Sequence, residues 1–234
     1  MGATRAKNRR RATTALSPRR TFAALRRRHP DAHCELNHKN PFELLVATVL
    51  SAQATDVSVN QITGALFDRW PTAEDMAGAQ QSELERALNR IGMFRQKSRS
   101  LLGLSKMLAA KHRGEVPRTL SELVELPGVG RKTANVVLGV AFGAPEGVVV
   151  DTHVQRISQR LGWTRHASPE EIEADLMRLF PRKDWDALAH TLIFHGRRIC
   201  TARKPACAAC PVSKSCPSAF HAETIGRKPK RVRR

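Results

Sequence analysis

The chain has 234 residues, 41% of them hydrophobic and 26% charged, a globular composition that excludes disorder throughout. Forty Lys and Arg against 21 Asp and Glu give a formal net charge of +19, an excess that attracts polyanions, nucleic acid above all. No uncharged apolar run approaches the roughly 18 residues of a membrane span, and no apolar signal-peptide core lies near Met1.

The charge is concentrated at the ends. Residues 1–28 hold ten Lys and Arg and no acid, and residues 221–234 hold six against Glu223. The ends therefore carry +10 and +5, and residues 29–220 only +4. Both ends are poor in apolar residues and dense in like charge, the composition of disordered tails. Arg9-Arg10-Arg11 and Arg19-Arg20 are clustered, which favours a DNA-clinging tail over a mitochondrial transit peptide. Lys228-Pro229-Lys230-Arg231 has the look of a nuclear localisation signal, ranked below the same DNA-clinging role.

Between the tails the predicted elements are helices. Asn40-Pro41-Phe42-Glu43 combines an N-cap, a proline at the first helical position and a glutamate at the third, and leads into Leu44-Leu45-Val46. Thr55 caps a helix from Asp56 to Trp70, and Ser82-Glu83-Leu84-Glu85 opens another that Gly92 ends. A basic helix runs from about Phe94 to His112, stopped by Gly114 and Pro117. Residues 86–114 carry eight cations and no acid, and residues 187–222 carry five and no acid. These stretches read either as solvated helix faces or as two basic walls along one duplex. Thr119-Leu120-Ser121-Glu122 opens a further helix, Ser168-Pro169-Glu170-Glu171 repeats the Asn40 pattern, and Asp184 begins a helix toward Cys200. Alternating strand patterns are nearly absent, and Val148-Val149-Val150 is too short to build a sheet, so the fold class is all-α.

Three features carry chemistry. The first is Leu126-Pro127-Gly128-Val129-Gly130-Arg131-Lys132-Thr133-Ala134. Gly128 and Gly130 permit unusual backbone angles and bring bare N–H groups against an anion, and the helix beginning near Arg131 aims its positive end the same way. Read alone, the turn also serves as an ordinary αα-hairpin. With Arg131 and Lys132 behind it, it resembles the helix-hairpin-helix of sequence-independent DNA binders.

The second is the spacing Cys200-x6-Cys207-x2-Cys210-x5-Cys216. Four thiolates within 17 residues hold one metal centre more readily than a disulfide network, and spacing alone leaves zinc and a [4Fe–4S] cluster open, with zinc the commoner. Cys34 is read as a core or surface thiol outside the centre. The loop from Thr201 to Ala206, pinned by ligands at both ends, presents Arg203 and Lys204 toward phosphate.

The third is one lysine and one aspartate. At the start of a helix and next to Arg131, the charged form of Lys132 is disfavoured, which is what an amine nucleophile requires. Such an amine can attack C1′ of a deoxyribose, expel the base and leave a Schiff base. Asp151, after the apolar Val148-Val149-Val150, can stabilise the developing oxocarbenium ion and assist proton transfer. Each has a plain alternative: phosphate contact for Lys132, a simple N-cap for Asp151.

Leu126–Ala134, Val150-Asp151-Thr152-His153, Ser51-Ala52-Gln53-Ala54-Thr55-Asp56 and the cysteine spacing together closely resemble the endonuclease III family, bifunctional DNA glycosylase and abasic-site lyases of base-excision repair. The resemblance covers about residues 20–218 and implies two all-α domains with a DNA cleft between them. The six-helix domain would span 35–145, with its helix-hairpin-helix at 119–142. The cluster domain would join 18–34 to 146–220, leaving basic tails at 1–17 and 221–234. The resemblance replaces zinc with one [4Fe–4S] cluster on Cys200, Cys207, Cys210 and Cys216, and makes Lys132 the nucleophile and Asp151 its acidic partner. It implies oxidised or saturated pyrimidines, or abasic sites, in double-stranded DNA as substrate, flipped from the duplex and cleaved by β-elimination. DNA contacts fall to Gln53, Met93, Gly128, Gly130, Arg131, Thr133, Arg203 and Lys204. Gln53 matches the glutamine that fills the vacated space. Met93 stands where the family commonly has a leucine wedge, with Phe94 a rival, and the lack of any tyrosine removes phenol stacking from recognition. A monomer without membrane association is expected, cytoplasmic at a bacterial nucleoid, or nuclear or mitochondrial in a eukaryote. The competing readings are a monofunctional mismatch adenine glycosylase and a non-catalytic iron–sulfur DNA-binding protein. Lys132, and the lack of a large extra C-terminal domain, weigh against the first; Lys132 with Asp151 weighs against the second.

Overall fold

Side-chain caps start seven of the eleven helices described. The computed structural model describes residues 17–226, and among these the regular structure is eleven α-helices and three 3-10 turns, with no strand. The helices are α1 (Pro18–Arg28), α2 (Pro41–Leu50), α3 (Asp56–Arg69), α4 (Ala73–Ala77), α5 (Gln81–Leu88), α6 (Phe94–His112), α7 (Leu120–Glu125), α8 (Arg131–Phe142), α9 (Thr152–Arg160), α10 (Pro169–Leu179) and α11 (Trp185–Arg198). The side chains of Asn40, Thr55, Thr119 and Ser168 each accept the N–H three residues on, as their spacing predicts.

Three boundaries differ from the sequence reading, and a fourth, at α1, differs from composition alone, because the resemblance already places 18–34 in the cluster domain. Residues 18–28 form α1, capped by Ser17, because Phe22 and Leu25 give this basic segment one apolar face to bury. Five of the ten N-terminal cations thus sit on a packed helix. Thr72 caps the short α4, whose Ala73 and Met76 are buried. Helix α5 begins before Ser82, because Glu83 accepts the Gln80 N–H at 3.4 Å, and it stops at Leu88, short of Gly92. Residues 221–226 belong to the folded body: Ala222 is buried and the Ile225 carbonyl accepts Arg160 Nε at 3.0 Å. The Arg9-Arg10-Arg11 and Lys228–Arg231 clusters lie outside the described residues.

The buried apolar residues form two clusters. One is shared by α2 to α8, with α2 at its centre: Phe42 through Leu50 are all buried. The other joins α1, α9, α10 and α11 to Val148, Val149, Trp163 and Val212. Within it Phe180 meets Trp163 and Phe22 edge-on, at centroid distances of 5.0 and 5.8 Å. Helix α8 packs on α2 and α7 and also on α11, so it lies where the two cores meet. Ion pairs cross the same boundary: Arg197 of α11 binds Asp56 of α3 at 2.9 Å and also Glu35. No described helix is long and apolar enough to cross a membrane.

Candidate active site and cluster site

The glycine turn packs on α6 before it opens α8. Gly128 has φ +83°, and a Cβ there would lie 2.7 Å from Cβ of Ser100, so both angle and space require glycine. Buried Val129 anchors the turn, and its N–H donates to the Leu126 carbonyl at 3.0 Å. Gly130 caps α8 with no side chain, and a Cβ there would meet open space. The first amides of a twelve-residue helix are therefore left without a capping side chain on an open side, as phosphate binding requires.

Behind this turn a cleft of about 340 Å³ lies at the junction of the two cores, within the size range of ligand pockets. Gln53, Lys132 and Thr133 line it from the first core, and Asp151 and Phe194 from the second. Lys132 is exposed and Asp151 half-buried. Asp151 Oδ1 accepts the N–H groups of His153 and Val154, each at 2.8 Å, so the aspartate caps α9. No donor among the described residues reaches Oδ2. One carboxylate thus spends one oxygen on holding itself in place and keeps the other available to the cleft. Gln53 is exposed, with its backbone in the left-handed region at φ 56°.

Other predicted contacts are placed differently. Met93 is 44% exposed at the start of α6, with φ 61°, but does not line this cleft. Arg131 lies beside the cleft with its guanidinium engaged by Glu173, Nε to Oε2 at 2.9 Å and Nη2 to Oε1 at 3.1 Å. Both basic walls contain fewer open cations than their composition suggests. Lys97 is buried, Arg197 is paired with Glu35 and Asp56, and Arg198 grips Asp31 at 2.7 and 2.9 Å. These pairings are invisible locally, because partners such as Asp56 and Arg197 stand 141 positions apart. Cys34 also lines the cleft, and burial pushes its thiol upward.

The cysteine segment is a second built site. Cys200, Cys207, Cys210 and Cys216 form no disulfide and line one cavity with Ile157, Leu161, Ile199 and Val212. The buried Arg160 donates to Cys200 Sγ at 3.3 Å and to the carbonyls of Thr201 and Ala202 at 2.8 and 2.9 Å. The Phe220 N–H donates to Cys207 Sγ at 3.3 Å, and His195 Nε2 lies 3.6 Å from Cys210 Sγ. Burial pushes the Cys210 thiol up to about 11 and raises that of Cys216. Four sulfurs lining one apolar cavity, two of them accepting N–H donors, suit a thiolate-bound metal centre. The Thr201–Ala206 loop that exposes Arg203 and Lys204 is closed by Thr201 Oγ1 donating to the Lys204 carbonyl at 2.7 Å.

Residues 46–182 match the HhH-GPD superfamily of base excision DNA repair proteins, and residues 200–216 match the iron–sulfur binding domain of endonuclease III. The chain is 48% identical to endonuclease III of a Synechocystis strain, over 83% of this chain and 89% of that protein. It is 50% identical to endonuclease III of Bacillus subtilis, over 80% and 85%. A solved structure of a trapped endonuclease III–DNA covalent intermediate superposes with a TM-score of 0.81 at 48% identity, covering 86% of this chain and 94% of that one. The cofactor is one [4Fe–4S] cluster. The chain belongs to the endonuclease III family, within the helix-hairpin-helix superfamily of base excision DNA repair proteins.

Proposed function

We propose that Lys132 is the nucleophile, and Asp151 the acidic partner, of a bifunctional DNA glycosylase and abasic-site lyase acting on oxidised or saturated pyrimidines in duplex DNA. The observation that carries this reading is the shared cleft: an exposed amine on α8 and a carboxylate before α9 reach one cavity from the two cores. A damaged nucleotide flipped into the cleft presents C1′ to Lys132 Nζ, and extrusion costs least for a poorly stacked base. The amine lone pair forms the C1′–N bond as the glycosidic bond breaks, and the leaving base takes that electron pair and a proton. Ring opening yields the Schiff base. Loss of a C2′ proton then expels the 3′ phosphate by β-elimination.

Asp151 Oδ2 stabilises positive charge developing at C1′ and relays protons, while the two backbone N–H groups hold Oδ1 still. Gln53 enters the vacated space and pairs with the orphaned base, and Met93 wedges the duplex from the start of α6. Gly128, Gly130 and Thr133 present the hairpin to phosphate, with Arg131 beside them. Cys200, Cys207, Cys210 and Cys216 hold the cluster, which when bound cross-links the loop bearing Arg203 and Lys204 and stiffens it for phosphate contact. The protein acts as a monomer at the DNA of the nucleoid.

Borohydride trapping on a duplex carrying an oxidised thymine tests the assignment. A covalent adduct is expected with the native protein and none with Lys132→Ala. Asp151→Asn keeps an oxygen to cap α9, so it is expected to fold and bind DNA while base excision falls by about 100-fold or more. An adduct formed normally by Lys132→Ala would show that another amine is the nucleophile.

A further inference from the structure

Glu173 stands outside the residues assigned above, yet it touches both elements that carry them. Its side chain on α10 is only 10% exposed. It accepts Arg131 Nε at 2.9 Å, Arg131 Nη2 at 3.1 Å and Asn135 Nδ2 at 3.2 Å. Arg131 precedes Lys132 and Asn135 lies one helical turn beyond Arg131, so three donors from the first turns of α8 close on one carboxylate. Asn135 commits its amide to this contact and leaves its own Oδ1 buried without a partner.

The same carboxylate abuts the segment leading to Asp151. A Cβ on Gly147 would lie 1.6 Å from Glu173 Oε1 and 2.8 Å from Asn135 Nδ2, so only glycine lets the chain pass against the pair. From Gly147 the chain runs through buried Val148 and Val149 directly to Asp151.

We propose that Glu173 is a positioning residue: it ties the Lys132-bearing turn of α8 to the segment that delivers Asp151 and so sets the separation of the two groups across the cleft. The inference rests on reading Lys132 and Asp151 as the reactive pair. A buried ion pair contributes little net stability compared with an apolar replacement, but its bidentate geometry fixes one register between the elements it joins. Schiff-base chemistry is sensitive to that register, since a misplacement of about 1 Å costs on the order of 100-fold in rate.

The test uses the full-length, cluster-loaded protein and two duplexes. One carries a natural abasic site, for single-turnover borohydride trapping at saturating enzyme. The other carries a tetrahydrofuran abasic analogue, which cannot form a Schiff base, for affinity. Glu173→Ala is expected to lower the trapping rate by about 10- to 100-fold, with affinity for the analogue within about threefold and the visible cluster absorption unchanged. Glu173→Gln, which keeps an acceptor for Asn135, should recover part of the rate. Gly147→Ala, which displaces the carboxylate without removing it, should reproduce the loss. Should Glu173→Ala fail to hold its cluster, Glu173→Gln and Gly147→Ala decide on the same criteria. Native trapping rates in these variants, with Lys132→Ala inactive, overturn the positioning role and leave the nucleophile standing. Trapping by Lys132→Ala instead overturns the reading beneath it.

Discussion

Lys97 turns inward from a helix whose composition reads as an open basic wall. It is 4% exposed and its Nζ has no hydrogen-bond partner among the described residues. Burial lowers its affinity for a proton below the ordinary value of 10.5. Because the folded-state value is depressed, the charged amine costs stability at every pH below that value. The cost fades as pH rises toward 10.5, where the unfolded chain also loses its proton. Lys97→Met keeps the aliphatic packing and removes the charge, so it is expected to stabilise the protein by about 1 kcal/mol at pH 7, with a smaller gain at pH 10. Thermal unfolding of both proteins at the two pH values checks this; a lower midpoint for the variant at pH 7 would reverse the argument. Asp151 shows the opposite situation. The structure shows the N-cap reading, and because the cap uses Oδ1 alone, it leaves the proposed catalytic role of Oδ2 compatible with it. Arg131 was legible as a cation at a hairpin, but its partner Glu173 lies 42 residues away and leaves no local trace.

The hairpin uses its two glycines for different physical reasons, and substitution separates them. Gly128→Ala forces a side chain into φ +83° and a methyl against Ser100, so a loss of about 1–3 kcal/mol is expected, seen as a lower thermal midpoint. Gly130 has φ −93° and open space at its Cβ position, so Gly130→Ala should cost less than about 1 kcal/mol. Its methyl instead occupies the open side on which the proposed phosphate contact lies, so its expected effect is a larger loss of affinity for an uncleavable abasic duplex than Gly128→Ala causes. The reverse ranking in both assays would move the phosphate site off the hairpin. Elements of this kind were legible because a cap needs only its own neighbours: Asn40, Thr55, Thr119 and Ser168 each announce a helix within four residues. Helix α1 was not legible from its own residues, since its two buried apolar residues, Phe22 and Leu25, are outnumbered by five arginines and find their apolar partners in residues over 100 positions away; only the family resemblance placed 18–34 in the folded body. Nor was α4, whose five residues are too few for a periodic pattern and which is held by packing on α6.

On the scale of the whole molecule, packing divides the charge differently from composition. Residues 1–16 hold five Lys and Arg and residues 227–234 hold six, neither segment with an acid, so residues 17–226 carry +8. Within that body Arg69, Arg131, Arg178, Arg197 and Arg198 are paired with carboxylates, so five guanidinium groups that composition counts as open to phosphate are already engaged. On the proposed function, the end segments would supply salt-sensitive attraction that is blind to sequence, while the hairpin and the cysteine-pinned loop would supply position. Because 221–226 pack on Arg156 and Arg160, the cut that separates these roles falls after Gly226 and before Ser17. A protein of residues 17–226 should keep its cluster absorption and its single-turnover trapping rate at saturating enzyme. Its affinity for undamaged duplex should fall most at low salt, and the slope of log affinity against log salt should become shallower, by about 0.9 for each phosphate that the ends no longer neutralise. Unchanged slope would mean that the ends do not touch DNA. A collapse of the saturated trapping rate would mean that they shape the active site, and that attraction and chemistry are not divided between tails and core.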